Sequence, residues 1–191
     1  MKLKNLTLIR VTVITFVFTP NLGHAQTAKK EKAVEVGGAA MYPSKNIVEN
    51  AFNSKDLTPL VAAVKAAGLV EKLQSEGPFS LFAVTNAAFD KLPDGNAETL
   101  LKEDNKGTLT AVLIYHVLAG KFNAKDVSAA IKKNKGKAEM KTVSGGTLTF
   151  WKKGGDIYVT DENGNRTKVT IADVNQSNGV IQVIDTVFKP K

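Results

Sequence analysis

The stretch that decides the fold is Phe79-Ser80-Leu81-Phe82-Ala83-Val84, which is followed at once by Thr85-Asn86. A short run that is almost entirely apolar is typical of a strand buried on both faces. Thr85 and Asn86 have side chains that cap helix N-termini, and two alanines and a phenylalanine follow. The stretch therefore predicts a buried strand that runs directly into a short helix.

Helical patterns lie on both sides of this strand. Upstream, Thr58-Pro59 is typical of a helix start and Gly68 of a helix end. A second short helix is expected directly after Gly68, from the apolar residues Leu69, Val70 and Leu73. Downstream, the clearest helix is predicted over residues 105–118, with one face formed by Leu109, Val112, Leu113 and His116.

The second half of the sequence changes to a β-hairpin pattern. Pairs of turn residues separate short runs of β-branched and aromatic residues, and these pairs are Gly145-Gly146, Gly154-Gly155, Asn163-Gly164 and Asn178-Gly179. Helices followed by an antiparallel meander predict an α+β domain. In it, an N-terminal helix cluster packs on an antiparallel β core with C-terminal hairpins.

Length and composition favour one globular domain. The chain has 191 residues, of which 43% are hydrophobic and 23% charged, and these values argue against disorder. It has no cysteine. A disulfide scaffold, a thiol nucleophile and a cysteine-bound zinc ion are therefore excluded.

The first 25 residues have the features of a secretory signal. Basic residues precede an apolar run over 11–18, and Gly23-His24-Ala25 places small residues at the cleavage positions. The run is shorter than the roughly 20 residues that a membrane span requires, although an uncleaved anchor is the alternative. The expected organisation is a signal peptide over 1–25 cut after Ala25, a flexible linker over 26–39 and a domain over 40–191. The mature protein is then secreted or periplasmic.

Catalytic and metal-binding patterns are sparse. His116 is the only histidine downstream of the signal, so a His-rich metal site is excluded, and no Gly-x-Ser-x-Gly elbow is present. The position of His116 on an apolar helix face favours a buried histidine over a catalytic one. Residues 161–165 are rich in oxygen ligands but lack the spacing of a calcium loop, which favours a polar hairpin tip. We expect neither a metal nor a cofactor.

Lysines concentrate in one part of the chain. Between Lys121 and Lys141 there are seven lysines and two acids, in a chain of net charge +8. The centre, Lys132-Lys133-Asn134-Lys135-Gly136-Lys137, predicts an exposed loop that either contacts an anion or is simply solvated. The chain has only two arginines, one of them in the signal, so nucleic acid is not an expected partner.

Three segments together resemble the fasciclin-like domain family. Residues 79–89 resemble its first signature box, Tyr115-His116 its central Tyr-His motif, and residues 178–185, beginning with Asn178-Gly179, its second box. Their order and spacing also agree, and the resemblance covers about residues 41–190. The sequence is identified as a member of this family.

The resemblance implies a compact wedge of helices around a β-sheet core. It also implies an extracellular adhesion or matrix module, with no enzymatic activity and no cofactor. In some animal members the Tyr-His region and an Asp-Ile pair are reported to contact receptors, and these positions are Tyr115, His116 and Asp173-Val174 here. Two residues depart from the family pattern: Val84 stands where proline is usual, and Gln182 where histidine is frequent.

We therefore expect a secreted or periplasmic, non-enzymatic adhesion or binding module. Its partner is expected to be a cell-surface or matrix protein or polysaccharide, and a monomer is the default state. The candidate binding residues are Tyr115, His116, Asp173, Lys132, Lys133, Lys135 and Lys137. The alternatives are a carrier of a small ligand or an anionic polysaccharide, and a hydrolase that uses His116. Thr85, Asn86, Asn178 and Gly179 are expected to be structural.

Overall fold

The computed structural model describes residues 31–92, residue 99 and residues 102–191. The expected signal peptide and the first residues of the expected linker lie outside this part of the chain. No helix formed by the described residues has both the length and the apolarity needed to cross a bilayer.

Helices and strands are mixed, which confirms the α+β class. The helices of the described residues are α1 (Ile47–Ala51), α2 (Thr58–Ala67), α3 (Val70–Gln74), α4 (Asn86–Asp90), α5 (Lys106–Tyr115) and α6 (Ala124–Lys133). The strands are β1 (Val34–Val36), β2 (Ala39–Met41), β3 (Phe79–Val84), β4 (Val117–Ala119), β5 (Lys137–Lys141), β6 (Thr147–Lys153), β7 (Asp156–Thr160), β8 (Arg166–Gln176) and β9 (Gly179–Ile184).

Strands β1 and β2 form a hairpin where a flexible linker was expected. Gly37 and Gly38 make the turn with φ values of 58° and 74°, which suit the tight turn of a two-residue hairpin. Val36 and Met41 are each only 1% exposed and belong to the hydrophobic core. The linker prediction is therefore wrong for residues 34–39, because burial of these apolar side chains holds the segment on the domain.

Seven strands form one sheet in the order β4-β3-β9-β8-β7-β6-β5. The pairs from β5 to β9 are antiparallel, as the hairpin pattern predicts, but β3 runs parallel to β9. The core is thus mainly antiparallel, as expected, and its central pair is parallel. The two ends of the sheet meet, because Leu118 bridges to Thr142 and Val143 donates to the Val117 carbonyl at 2.8 Å. The sheet thus approaches a closed barrel.

Strand β3 is buried on both faces, as its apolar run predicts. Leu81 and Ala83 belong to a core cluster that the sheet shares with helices α1, α2 and α5. Phe82 and Val84 belong to a second cluster inside the curved sheet, together with Tyr115, Leu148, Phe150 and Phe188. Strand β9 is buried along its whole length. The pair β3–β9 therefore separates the two cores and contributes to both.

The predicted helix over 58–68 is confirmed at both ends. Helix α2 begins at Thr58 with proline in its first turn and ends before Gly68, whose φ of 72° is unfavourable for other residues. The short helix expected after it is α3. The helix predicted over 105–118 is shorter, because Val117 begins β4 and its backbone pairs with β3.

The hairpin turns are confirmed in position but not always in length. Gly154-Gly155 forms the expected two-residue connection between β6 and β7. The connections at residues 142–146 and 161–165 are longer, because each includes further polar residues. Gly179 lies in β9 rather than in the turn before it.

Gly179 lies in close contact with β3. A Cβ atom at this position would lie 2.1 Å from the Phe79 carbonyl oxygen and 3.0 Å from both the carbonyl carbon and the nitrogen of Phe79. Backbone atoms of a central strand cannot move aside as a flexible side chain can. The close β3–β9 approach therefore requires glycine at residue 179.

We predict that Gly179→Ala lowers the free energy of unfolding by about 3 kcal/mol or more, since it forces the central strands apart. Urea unfolding followed by circular dichroism measures the effect. Gly155→Ala is the matched control, because a Cβ there meets nothing within 4 Å, and a change below about 0.5 kcal/mol is expected. Equal stability of the two variants would contradict the prediction.

Candidate binding surface

Tyr115 lies inside the curved sheet and is 0% exposed. Its hydroxyl donates to the Thr147 carbonyl at 3.1 Å and accepts the Glu162 backbone N–H at 3.2 Å. Burial raises the pKa of this hydroxyl above its usual value, which keeps it protonated as a donor. Tyr115 thus joins α5 to both ends of the β6–β7 hairpin.

His116 is 1% exposed and both of its ring nitrogens bond to backbone groups. Nδ1 lies 2.7 Å from the Val112 carbonyl, and Nε2 accepts the Phe188 N–H at 2.9 Å. Nδ1 must therefore carry the proton and the ring is neutral. Burial lowers the pKa of His116 from 6.5 to about 4, an effect partly opposed by the Val112 carbonyl and the charge of Asp161.

These positions contradict two of the expectations for the Tyr-His pair. Tyr115 and His116 have no exposed surface with which to contact a receptor, so the structure does not support them as binding residues. The hydrolase alternative is also contradicted, since neither ring nitrogen of His116 is available to a substrate. His116 is instead buried, as its place on an apolar helix face predicts.

The depressed pKa of His116 predicts a loss of stability in mild acid. As the pH falls below 6.5, the unfolded chain binds a proton that the folded chain does not bind until about pH 4. Between about pH 7.5 and about pH 5, this proton alone lowers the free energy of unfolding by about 2 kcal/mol. Urea unfolding of the wild type and of His116→Gln at both pH values isolates this contribution.

The variant should lose about 2 kcal/mol less than the wild type over this interval, because the other titrating groups are common to both. An NMR titration of the imidazole in the folded wild type measures the same property independently. A folded-state pKa near 6.5 would be incompatible with the buried, backbone-bonded ring.

Asp173 lies at the bulged part of β8, with a φ of 59°. Its Oδ1 accepts the Ala124 N–H at 2.7 Å, at the first residue of α6, and Gln182 Nε2 at 3.2 Å. Gln182 also accepts the Asp173 N–H at 3.0 Å and donates to the Phe122 carbonyl at 3.1 Å. Half-buried Asp173 thus anchors the start of α6, and Gln182 satisfies the groups around it.

Asn86 and Thr85 are structural, but not in the way expected. Thr85 takes the N-cap position of α4 without a side-chain cap bond. Asn86 instead accepts the Thr58 N–H at 3.2 Å and donates to the Lys55 carbonyl at 2.9 Å. The amide of Asn86 therefore caps the start of α2 rather than that of its own helix.

Asn178 connects two further helices. Its Oδ1 accepts the Ile47 N–H at 3.0 Å at the start of α1, and its Nδ2 donates to the Leu73 and Ser75 carbonyls at the end of α3. One side chain thus satisfies backbone groups at opposite helix ends. The neighbouring Gly179 allows the close strand approach described above.

The lysine-rich centre is exposed, but it is not a single loop. Lys132 and Lys133 lie in the last turn of α6, where positive side chains interact favourably with the negative end of the helix dipole. Lys137 is the first residue of β5. Lys135 lies in the turn between them, with a φ of 56°. The side chains of all four lysines are exposed. Helix α6 was not predicted, although Val127 and Ile131 bury one helical face and Asp126 bonds back to the Asn123 N–H.

Asp161 organises the polar hairpin tip that was expected at residues 161–165. Its carboxylate accepts the backbone N–H groups of Asn163, Asn165 and Lys189 at 2.9–3.0 Å. Among the described residues, no group of three or more His, Asp or Glu side chains is placed to hold a metal ion.

An aromatic pair lies on the outer surface of the sheet, next to Lys137, and was not singled out from the sequence. Trp151 stacks on Tyr158 with ring centroids 4.7 Å apart, and the Arg166 guanidinium lies 5.7 Å from the Trp151 centroid. Trp151 Nε1 donates to the Thr160 hydroxyl at 3.0 Å. We call the surface formed by Lys137, Trp151, Tyr158 and Arg166 the aromatic face. The sequence signal that could have identified this pair is the alternation of side chains along β6 and β7. Successive side chains face opposite sides of a strand, so Trp151 and Tyr158 lie on the face opposite to buried Phe150 and Val159.

This nearly closed sheet, with helices packed against it and a buried Tyr-His pair, defines the domain class. A model of the Fasciclin domain matches residues 55–190. The chain therefore belongs to the fasciclin domain family, which confirms the resemblance seen in the sequence.

Similar proteins come from bacteria and animals. The chain is 43% identical over 171 residues to Protein sll1483 of Synechocystis sp., covering 90% of this chain and 88% of that protein. It is 34% identical over 131 residues to transforming growth factor-beta-induced protein ig-h3 of Sus scrofa, covering 69% of this chain and 17% of that protein.

A solved structure of a FAS1 domain pair from the insect cell adhesion molecule fasciclin I shares the fold. The TM-score is 0.67 at 17% sequence identity, covering 76% of this chain and 51% of that chain. At this identity the likeness shows the fold alone, and it confirms the expected wedge architecture.

Proposed function

We propose that this chain is an exported, non-enzymatic adhesion module that holds an acidic polymer of the cell surface or matrix. Membership of the fasciclin domain family supports an adhesion-type role, since a solved relative is a cell adhesion molecule. The proposal places the module outside the cytoplasm because of the signal-like N-terminal residues.

The observation that carries the proposal is the lysine segment, which consists of Lys132, Lys133, Lys135 and Lys137. All four side chains are exposed, and within the described part of the chain no carboxylate lies within ion-pair distance of them. Uncompensated charges of one sign on a short segment attract an oppositely charged polymer. Because Tyr115 and His116 are buried, they offer no contact surface, and this favours the exposed lysine segment as the contact surface.

We predict that the chain binds immobilised polygalacturonate at low ionic strength and is released by salt, because exposed charges are screened. Replacing the four lysines of the segment by glutamine should lower the slope of log retention against log salt by about 3. Salt-gradient chromatography of the full chain measures this slope.

The matched control replaces four exposed lysines elsewhere, Lys55, Lys72, Lys102 and Lys106, and has the same net charge. It should lose much less retention than the variant of the lysine segment. Equal retention of both variants would show that net charge, rather than this segment, determines binding.

A further inference from the structure

The aromatic face continues from the lysine segment across the outer surface of the sheet. Lys137, Trp151 and Tyr158 are consecutive cross-strand partners on β5, β6 and β7. In the neighbouring row, Thr149 and Thr160 pair, and Thr160 pairs with Arg166 on β8. One outward-facing surface thus has an aromatic pair at its centre and a cation on each outer strand.

A groove of about 390 Å³ lies on this surface, lined by Lys137, Thr149, Trp151, Thr160, Gly164 and Arg166. This volume lies within the range typical of small-ligand sites, about 300–1,000 Å³. Trp151 forms an apolar wall whose orientation is fixed by Tyr158, Arg166 and the bond to Thr160. The two threonines add hydroxyl groups to the lining.

The charges of the groove are suited to carboxylates. Lys168, also on this face, is neutralised by Asp156 at 2.6 Å. Within the described residues, neither Lys137 nor Arg166 has a carboxylate at ion-pair distance. Glu139 faces the same side of β5, between Lys137 and Lys141, so the surface stays positive.

Together, the Trp151 ring, the threonine hydroxyls and the two cations favour a sugar that carries a carboxylate as the ligand. A pyranose ring places apolar C–H groups against an aromatic face, and its hydroxyls pair with threonine hydroxyls. A guanidinium binds a carboxylate through two parallel hydrogen bonds. Strands lie about 4.8 Å apart, and Arg166 lies two residues along β8 from the row of Lys137. The bases of Lys137 and Arg166 are therefore roughly 16 Å apart, which suits two carboxylates of one polymer.

We propose that the aromatic face binds consecutive uronic-acid units of an acidic polysaccharide. One sugar ring packs on Trp151, with its carboxylate on Arg166, and Lys137 binds the carboxylate of another unit. This inference rests on the proposed function, and it names both the class of polymer and a second binding element beside the lysine segment.

Trp151 is the only tryptophan of the chain, so its fluorescence reports directly on this groove. The test titrates the full chain with an oligogalacturonate, with a neutral cello-oligosaccharide of equal length and with polyglutamate. We expect a saturable change in emission with oligogalacturonate alone. An equal change with polyglutamate would overturn the proposal in favour of charge alone, and an equal change with the neutral sugar would overturn the role of the carboxylates.

Substitutions then test the assigned residues. Arg166→Gln and Lys137→Gln should each weaken oligogalacturonate binding about tenfold, as expected for loss of a charged hydrogen bond. Lys141→Gln is the matched control, because it removes an exposed lysine from the same strand and face, and should change binding by less than about twofold. Trp151→Ala, followed by calorimetry, should weaken binding by about tenfold or more, whereas Phe52→Ala, at a distant exposed ring, should not. Equal affinity of Arg166→Gln and the wild type would overturn the assignment.

A triple variant, Lys132→Gln with Lys133→Gln and Lys135→Gln, separates this inference from the proposed function. It should lose column retention while oligogalacturonate still changes the Trp151 emission. If oligogalacturonate leaves Trp151 unchanged while the triple variant still loses retention, the inference fails and the proposed function stands. If the triple variant keeps full column retention and oligogalacturonate still changes the Trp151 emission, the proposed role of the lysine segment is wrong and the proposed binding by the aromatic face is supported.

Discussion

The parallel pairing of β3 with β9 is the constraint on which the rest of the domain depends. Both strands are buried on both faces, and most of their apolar side chains belong to one of the two cores. The close approach at Gly179 sets the register, from Phe79 opposite Gly179 to Val84 opposite Ile184. Helices α1, α2 and α5 cover one side of the pair. On the other side the remaining strands curl over the second core, to which α6 also contributes, until β4 meets the end of β5.

The residues that define the family motifs support this centre rather than a ligand site. Asn86, Asn178 and the Tyr115-His116 pair each bond to backbone groups from distant parts of the chain. A buried backbone group without a partner is costly, and these side chains supply partners where helices and strands end. Their polar groups are thereby committed to the fold, which is why the proposed contact surfaces lie elsewhere, on the lysine segment and the aromatic face.

Much of the fold was predictable because its signals are local. The apolar run at β3, the Pro–Gly boundaries of α2 and the Gly154-Gly155 turn each act within a few residues. The hairpin β1–β2 was missed because strands of three residues are too short to show a period. The parallel pairing of β3 was missed because an apolar run identifies a buried strand without identifying its neighbour.

The candidate site was harder to predict, since it depends on pairings between strands. Trp151 and Arg166 are fifteen positions apart in the numbering, and only the register of β6, β7 and β8 brings them together. The lysines were recognised from composition, but their division between α6, a turn and β5 depends on burial of Val127 and Ile131. Tyr115 and His116 stood out as motif residues, and only their burial shows that they are structural.

The β3–β9 pair also has a kinetic consequence. Phe79 and Gly179 are one hundred positions apart in the numbering, so a growing polypeptide cannot assemble its central sheet until β9 has been synthesised. Contacts between segments this distant close slowly, because the intervening chain must first lose conformational entropy. A delay of this kind would suit the export proposed above, since β9, which completes the central pair, is synthesised long after β3.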